Sequence, residues 1–165
     1  MENDSLITPE IQSLLEKEAT FTSPDEVGKA SIRRFAVAVG DVNPLYLDEE
    51  YAKKSKYGGI IAPPTFVCET GQYYSDELLE DGKPKDMQEL APCIKTLAIR
   101  GGNEYEFFRP LRPEDVITAR SKVIDIYEKT AKTGKLLFII RQWTYANHKN
   151  EVIATNKETM IYRFK

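Results

Sequence analysis

The sequence predicts an α+β fold in which short helices come first and long antiparallel strands follow. Two observations carry that expectation. Up to about residue 79, apolar positions recur three and four apart, the helical period. From Ile94 onward the chain changes to segments rich in β-branched and aromatic residues, separated by short turns. The last three segments exceed the usual strand of about five or six residues, and long antiparallel strands curve. A curved sheet can wrap one apolar helix, so a meander around a central helix is the expected architecture.

Each element has a local reason. Thr8-Pro9-Glu10 starts a first helix, with Thr8 as N-cap and proline at its first position. Ile11, Leu14, Leu15 and Ala19 share one of its faces, and Phe21 to Asp25 is turn-like. A second helix spans about Ala30 to Val39, burying Ile32, Phe35, Ala36 and Val39, and Gly40 ends it. Asp41 to Pro44 is a loop, and Asp48 caps a third helix over Glu49 to Lys54. The central helix is expected from Thr65 to Leu79, apolar on several sides and closed by Asp81-Gly82-Lys83-Pro84. Strands are expected over Ile94–Arg100, Asn103–Phe108, Val116–Tyr127, Leu136–Tyr145 and Glu151–Arg163, with turns at Thr133-Gly134 and Asn147–Asn150.

Composition bounds the function. A chain of 165 residues holds one domain with a full core. A net charge of −3 gives no footprint for a nucleic-acid backbone. No apolar run is long enough to span a membrane, and MENDSLITPE lacks the basic start and apolar centre of a secretory signal. A cytoplasmic location is therefore the expectation. Cys68 and Cys93 have no metal spacing, so neither a metal nor a disulfide framework is expected. The only histidine is His148, and no site in this chain can need two.

Chemistry concentrates in Asp41-Val42-Asn43-Pro44-Leu45-Tyr46-Leu47-Asp48 and in Tyr57-Gly58-Gly59-Ile60-Ile61-Ala62-Pro63-Pro64-Thr65-Phe66. A carboxylate and an amide stand in a proline-braced loop, and a helix start follows a glycine turn. The N–H groups of a helix start suit a developing oxyanion, and a nearby carboxylate can move a proton or hold a water. The same residues also serve as ordinary turn and helix-start formers.

These two segments resemble the hydratase motif of the MaoC-like (R)-specific enoyl-CoA hydratases and dehydratases, which have the hot-dog fold. Phe108-Arg109-Pro110-Leu111-Arg112-Pro113-Glu114-Asp115-Val116 is similar to the segment entering that family's long strands, with Glu114 where glycine is usual. The resemblance covers roughly residues 25–165, which makes residues 1–24 an N-terminal helical extension and 25–165 the MaoC-like hot-dog domain. It implies that an aspartate and a histidine five residues later act on a catalytic water. It also implies that a His-Gly pair opens the central helix, the glycine N–H polarising the thioester carbonyl. Asp41, Asn43 and Pro44 match that pattern; Tyr46 occupies the histidine position and Pro63-Pro64 the His-Gly pair. The expected catalytic residues are thus Asp41 and Asn43. Tyr46, Tyr57, Gly58, Pro64, Thr65 and Phe66 are expected to bind substrate.

Both departures have physical consequences. A phenol with a pKa near 10 is protonated at neutral pH and is a poor base. Proline has no N–H to donate. Losing an acid–base partner costs roughly 10²–10⁴ in rate and losing one oxyanion donor roughly 10²–10³, without simple additivity. Ala62-Pro63-Pro64-Thr65-Phe66 with Tyr57-Gly58-Gly59 is similar to the N-terminal-type MaoC dehydratase domain, related to the dehydratase region of type I fatty acid synthase. The resemblance implies a non-catalytic half that pairs with an intact hot-dog and helps form the acyl channel.

The expected function is an accessory subunit acting on 3-hydroxyacyl or 2-enoyl thioesters of coenzyme A or acyl carrier protein, with no other cofactor. Its partner is a catalytic MaoC-like subunit in a heterodimer, or a second copy in a homodimer. The alternatives are a self-sufficient homodimeric hydratase or thioesterase using Asp41, with the Thr65 N–H as oxyanion donor, and a non-enzymatic acyl-thioester-binding dimer. Apolar residues on both strand faces, Leu136, Phe138 and Ile140 against Leu137, Ile139, Trp143 and Tyr145, point to a shared sheet. His148 reads as a turn residue, Cys68 as a small core residue and Arg100-Gly101-Gly102 as a strand break, with a bulge or a thioester-facing loop as the alternatives. Arg109, Arg112 and Lys122 read as surface cations within reach of a carrier phosphate.

Overall fold

Among the described residues, five strands make one antiparallel sheet: β1 (Glu18–Thr22), β2 (Ala98–Phe107), β3 (Ile117–Ala131), β4 (Gly134–Asn147) and β5 (Val152–Arg163). Their order is β1-β3-β4-β5-β2, so β1 and β2 form the two edges. The computed structural model describes residues 5–71, 94, 96, 98–132 and 134–164. Period-2 alternation sets the register: Leu137 lies opposite Tyr162, Trp143 opposite Asn156 and Tyr145 opposite Ala154, which brings these side chains to one face. The α+β class and the curved antiparallel sheet are as the sequence predicts.

The helices lie mainly before the long strands. α1 (Pro9–Gln12) is capped by Thr8, whose Oγ1 accepts the Ile11 N–H at 3.3 Å. It stops short of the expected Ala19. Glu16 adopts φ 66°, and its N–H donates to the Val123 carbonyl at 2.9 Å, turning the chain into β1. Residues 18–22 then satisfy the edge of β3, and Ala19 and Phe21 face inward as a strand's alternate residues do. α2 (Lys29–Ala38) buries Ile32 and Ala36 as its spacing predicts and half-buries Phe35, but it ends before Val39, which is exposed rather than buried. α3 (Pro44–Leu47) is a helix that the sequence reading does not include; Asn43 caps it and Pro44 fills its first turn. α4 (Glu49–Lys54) is capped by Asp48, which accepts from the N–H groups of Glu50 and Tyr51.

Two further differences concern the central elements. The expected α-helix from Thr65 is a 3-10 helix over Pro64–Gly71; the remainder to Leu79, the Asp81–Pro84 turn and Cys93 lie outside the described residues. The two strands expected at 94–100 and 103–108 are one strand, β2, whose register shifts between Arg100 and Gly102. Gly101 permits this bulge: a Cβ there would lie 2.8 Å from Ile161 Cδ1 and 3.0 Å from Thr159 Cγ2.

The core has two apolar parts. One gathers Ile32, Ala36, Tyr46, Ile61, Val67, Ile117 and Ala154; the other gathers Ile11, Leu14, Val123, Leu137, Ile139 and Tyr162. Polar residues of the sheet, Arg141, Asn156 and Glu158, are also buried. Glu158 accepts from the Trp143 indole N–H at 3.1 Å and pairs with Arg100 at 3.3 Å. On the opposite face Tyr127 stacks on Phe138 with centroids 4.8 Å apart, and the Lys129 ammonium lies over both rings.

Leu137 is fully buried, so Leu137→Ala should lower unfolding free energy by about 2–5 kcal/mol in a denaturant titration. Val37→Ala, on the exposed side of α2, should change it by less than about 0.5 kcal/mol.

Candidate active site

The end of α2 starts the site. Gly40 adopts φ 75°, and the Asp41 N–H closes back onto the Ala36 carbonyl at 2.9 Å. Asp41 Oδ1 then accepts the Asn43 N–H at 3.3 Å, and Asn43 Oδ1 accepts the Leu45 N–H at 3.0 Å. Two successive side-chain turns therefore fix the entry to α3. That short helix points Tyr46 into the core, where it is buried.

A second segment crosses beside α3. The Ile61 N–H donates to the Leu45 carbonyl at 3.3 Å and the Ala62 N–H to the Leu111 carbonyl at 2.8 Å. The Tyr57-Gly58 turn, with Gly58 at φ 68°, is tied to the same region: Arg112 Nη2 donates to the Tyr57 carbonyl at 2.7 Å. Beyond β2, the N–H groups of Phe108 and Arg109 both donate to the Ile153 carbonyl, at 2.9 and 3.3 Å. Three chain segments thus converge at the β2 end of the sheet.

Between them runs a groove of about 500 Å³, within the usual range for small-molecule sites. Of the residues predicted from sequence, Asn43, Tyr46, Tyr57 and Pro64 line it. Asp41, Gly58, Thr65 and Phe66 are not on its walls. Phe66 packs inside instead, edge-on to Phe35 with centroids 5.1 Å apart. Asp41, Gly58 and Thr65 are exposed. The opposite wall, Phe107 to Leu111 with Ile153, is not among the residues predicted to bind, apart from Arg109 as a cation within reach of a carrier phosphate. Its signal in the sequence is the pair of aromatics ending a strand, directly before Arg109-Pro110.

The electrostatics at Tyr46 run against a base. Burial raises its phenol above the ordinary value, and the negative charge of Asp41 and the neighbouring Tyr57 raise it further. Tyr46 stays protonated at neutral pH and is suited to donating a hydrogen bond. Pro64 lines the groove without an N–H to offer. Burial also raises the Cys68 thiol, and its Sγ donates to the Thr65 carbonyl at 2.9 Å, so no thiolate is favoured there. His148 is exposed in the β4–β5 turn, its Nδ1 facing the Val116 N–H at 3.5 Å. Among the described residues no group of three metal-ligating side chains converges, and no helix is long and apolar enough to cross a membrane.

Comparison with known proteins bears on this geometry. Residues 19–156 match the family model described as the FAS1-like dehydratase domain region. A UPF0336 protein of Streptomyces coelicolor is 35% identical over 112 residues, covering 68% of this chain and 70% of that protein. A probable enoyl-CoA hydratase alpha subunit of Thermomonospora curvata is 31% identical over 147 residues, 86% of this chain but only 46% of the relative. Among solved structures, the ChsH1–ChsH2 complex from Mycobacterium tuberculosis superposes with a TM-score of 0.71 at 20% identity, covering 87% of this chain and 82% of that one. At that identity the likeness is one of fold.

The raised Tyr46 phenol gives a pH signature. Below about pH 10 a tyrosine is protonated in both folded and unfolded chains and stability is unaffected. Above it the unfolded chain releases its proton first, so Tyr46 makes the fold lose stability until its own, higher value is passed. In an ultraviolet phenolate titration, Tyr46→Phe should remove one late component. Asp41→Asn should move that component to lower pH.

Proposed function

The chain belongs to the FAS1-like dehydratase-region family, of the MaoC-like hot-dog type, and from that premise we propose that it is the acyl-channel half of a hydratase or dehydratase. Its substrates are 2-enoyl or 3-hydroxyacyl thioesters, and a second hot-dog supplies the catalytic aspartate and histidine. The observation that carries this reading is Tyr46: buried, held protonated, and lining the groove at the position where the resemblance expects a histidine. Water addition to an enoyl thioester needs a base for the water and a donor for the enolate oxygen. Tyr46 serves poorly as the first, and Pro64 cannot serve as the second.

The remaining residues fit a binding role. Tyr57, Ile61, Phe107, Phe108 and Leu111 give the groove apolar and aromatic walls for an acyl chain. Tyr46 and Asn43 offer polar contacts at its α3 side. Asp41 stands at the place of the family's catalytic aspartate and Asn43 at that of the adjoining asparagine, here shaping the loop through their turns rather than moving protons.

A hot-dog partner is supported by the edge strand. β2 ends the sheet, and Ile99, Phe107 and Phe108 beside that edge are 48%, 43% and 52% exposed. Natural edge strands are usually blunted by charge, proline or a covering element. β2 also carries Arg100, Glu104 and Glu106, but the exposed aromatics at its end next to the groove fit a second hot-dog packed there, as the two-subunit composition of the ChsH1–ChsH2 complex illustrates for a protein of similar fold.

A second reading, a self-sufficient homodimer using Asp41, has one observation in its favour. Asp41 lies close enough to Tyr46 to act on its phenol. That reading also requires the Thr65 N–H to face substrate, and Thr65 is not on the groove wall.

Purified alone, the protein should not hydrate crotonyl-CoA or longer enoyl-CoA above background in an assay that follows loss of the enoyl thioester's ultraviolet band. Turnover should appear when a hot-dog subunit with intact aspartate, histidine and His-Gly motifs is added. Robust turnover by the chain alone, abolished by Asp41→Asn, would overturn the accessory reading in favour of the homodimeric enzyme.

A further inference from the structure

Arg109 is, among the described residues, the only charged side chain lining the groove, and it also lines a second cavity of about 380 Å³ on its other side. The two cavities differ in chemistry. The groove is walled mainly by apolar and aromatic groups, whereas the second cavity carries Arg112, Lys149 and three carboxylates. A ligand that spans both would lay an apolar arm along the groove and reach a cavity of mixed charge, where what it meets depends on which of those charges are already paired.

The carboxylates of the second cavity are mostly engaged. Asp115 accepts the Arg112 N–H at 2.8 Å and the Asn147 amide at 3.1 Å. Glu151 accepts from Asn147 at 3.0 Å and pairs with Arg109 Nη1 at 2.6 Å. Arg112 directs its guanidinium to the Tyr57 carbonyl. Arg109 differs from Arg112: its side chain is 54% exposed, and a guanidinium has five N–H donors, of which the Glu151 pair uses part. Its backbone is fixed by the N–H bond to Ile153, so the cation is presented from an anchored position. Glu114 opposes an anion from the rim, where water and salt screen it.

Resting on the reading that the groove takes an acyl thioester, we propose that Arg109 binds a phosphate of the thioester's carrier, with Glu151 as the internal carboxylate that phosphate displaces. Phosphate is the shared chemistry of coenzyme A and of the phosphopantetheine arm on a carrier protein. The planar fork of an arginine suits it better than a lysine's point charge.

Calorimetric titration of the whole protein with coenzyme A, 4′-phosphopantetheine and pantetheine tests the assignment. The two phosphorylated ligands should bind more tightly than pantetheine. Arg109→Gln should weaken them by about tenfold and leave pantetheine unchanged. Arg109→Lys should retain part of the advantage. Glu151→Gln, by removing the competing carboxylate, should strengthen both phosphorylated ligands. An Arg109 effect on both assigns the contact to the pantetheine phosphate, common to both carriers; an effect on coenzyme A alone assigns it to the nucleotide phosphates. Pantetheine binding with no phosphate advantage overturns the Arg109 assignment alone, as does equal weakening of all three ligands by Arg109→Gln. No binding of any of the three to the wild-type protein overturns the thioester reading with it.

Discussion

The groove depends on how the Ile60–Ala62 segment is tied. One backbone N–H, from Ile61, reaches the Leu45 carbonyl of α3, and the next, from Ala62, reaches Leu111 in the segment after β2. A buried segment must satisfy its polar groups, and these two bonds do so with partners from different parts of the chain. They hold α3 and the Phe107–Leu111 wall at a fixed separation. Proline then restricts the next two positions: Pro63-Pro64 offers no N–H for a third tie, and the chain turns directly into the 3-10 helix. The groove is the space left between walls that these constraints set apart.

Much of this was legible in the sequence because local signals and tertiary demands agreed. Asp48 as a cap, Ile32 and Ala36 on one face of α2, and the long alternating strands all appear where spacing placed them. The first helix is shorter than expected because its apolar periodicity, Ile11 to Ala19, is also compatible with a short helix followed by a strand. The open edge of β3 decides between them. The two strands around Gly101-Gly102 read as separate because consecutive glycines signal a break. A bulge accommodates them within one continuous ladder.

The lining of the groove was legible in part. Asn43, held by its cap, and Tyr46, placed by the α3 turn, line it, whereas Asp41, fixed by the same local turns, stays exposed outside it. Distant packing moves other residues. Phe66 looks like a binding residue beside a motif, yet Phe35, far away in sequence, draws it into the core. Ile153 gives no local sign of lining the groove; its carbonyl is reached by the N–H groups of Phe108 and Arg109, far earlier in the chain.

The buried face of the long strands adds a constraint on what the fold can take in. A continuous apolar face would accept an acyl chain at any depth. Here Arg141, Asn156 and Glu158 interrupt it, and Glu158 is held by Trp143 and Arg100. Moving apolar matter against such groups displaces their hydrogen-bond partners and leaves charge uncompensated, which costs more than the added burial returns. The polar band therefore lies between the two apolar parts of the core, the one that includes Tyr46 and the one around Leu137. Tyr105 extends this boundary: stacked on Phe107 with centroids 5.5 Å apart, its phenol is pushed up to about 12, chiefly by burial, then by Cys68 and Glu158. A protonated phenol at that position adds a donor to the band rather than a charge. The buried face of the sheet is thus divided by polar side chains that lie outside the Asp41–Asp48 and Tyr57–Phe66 segments.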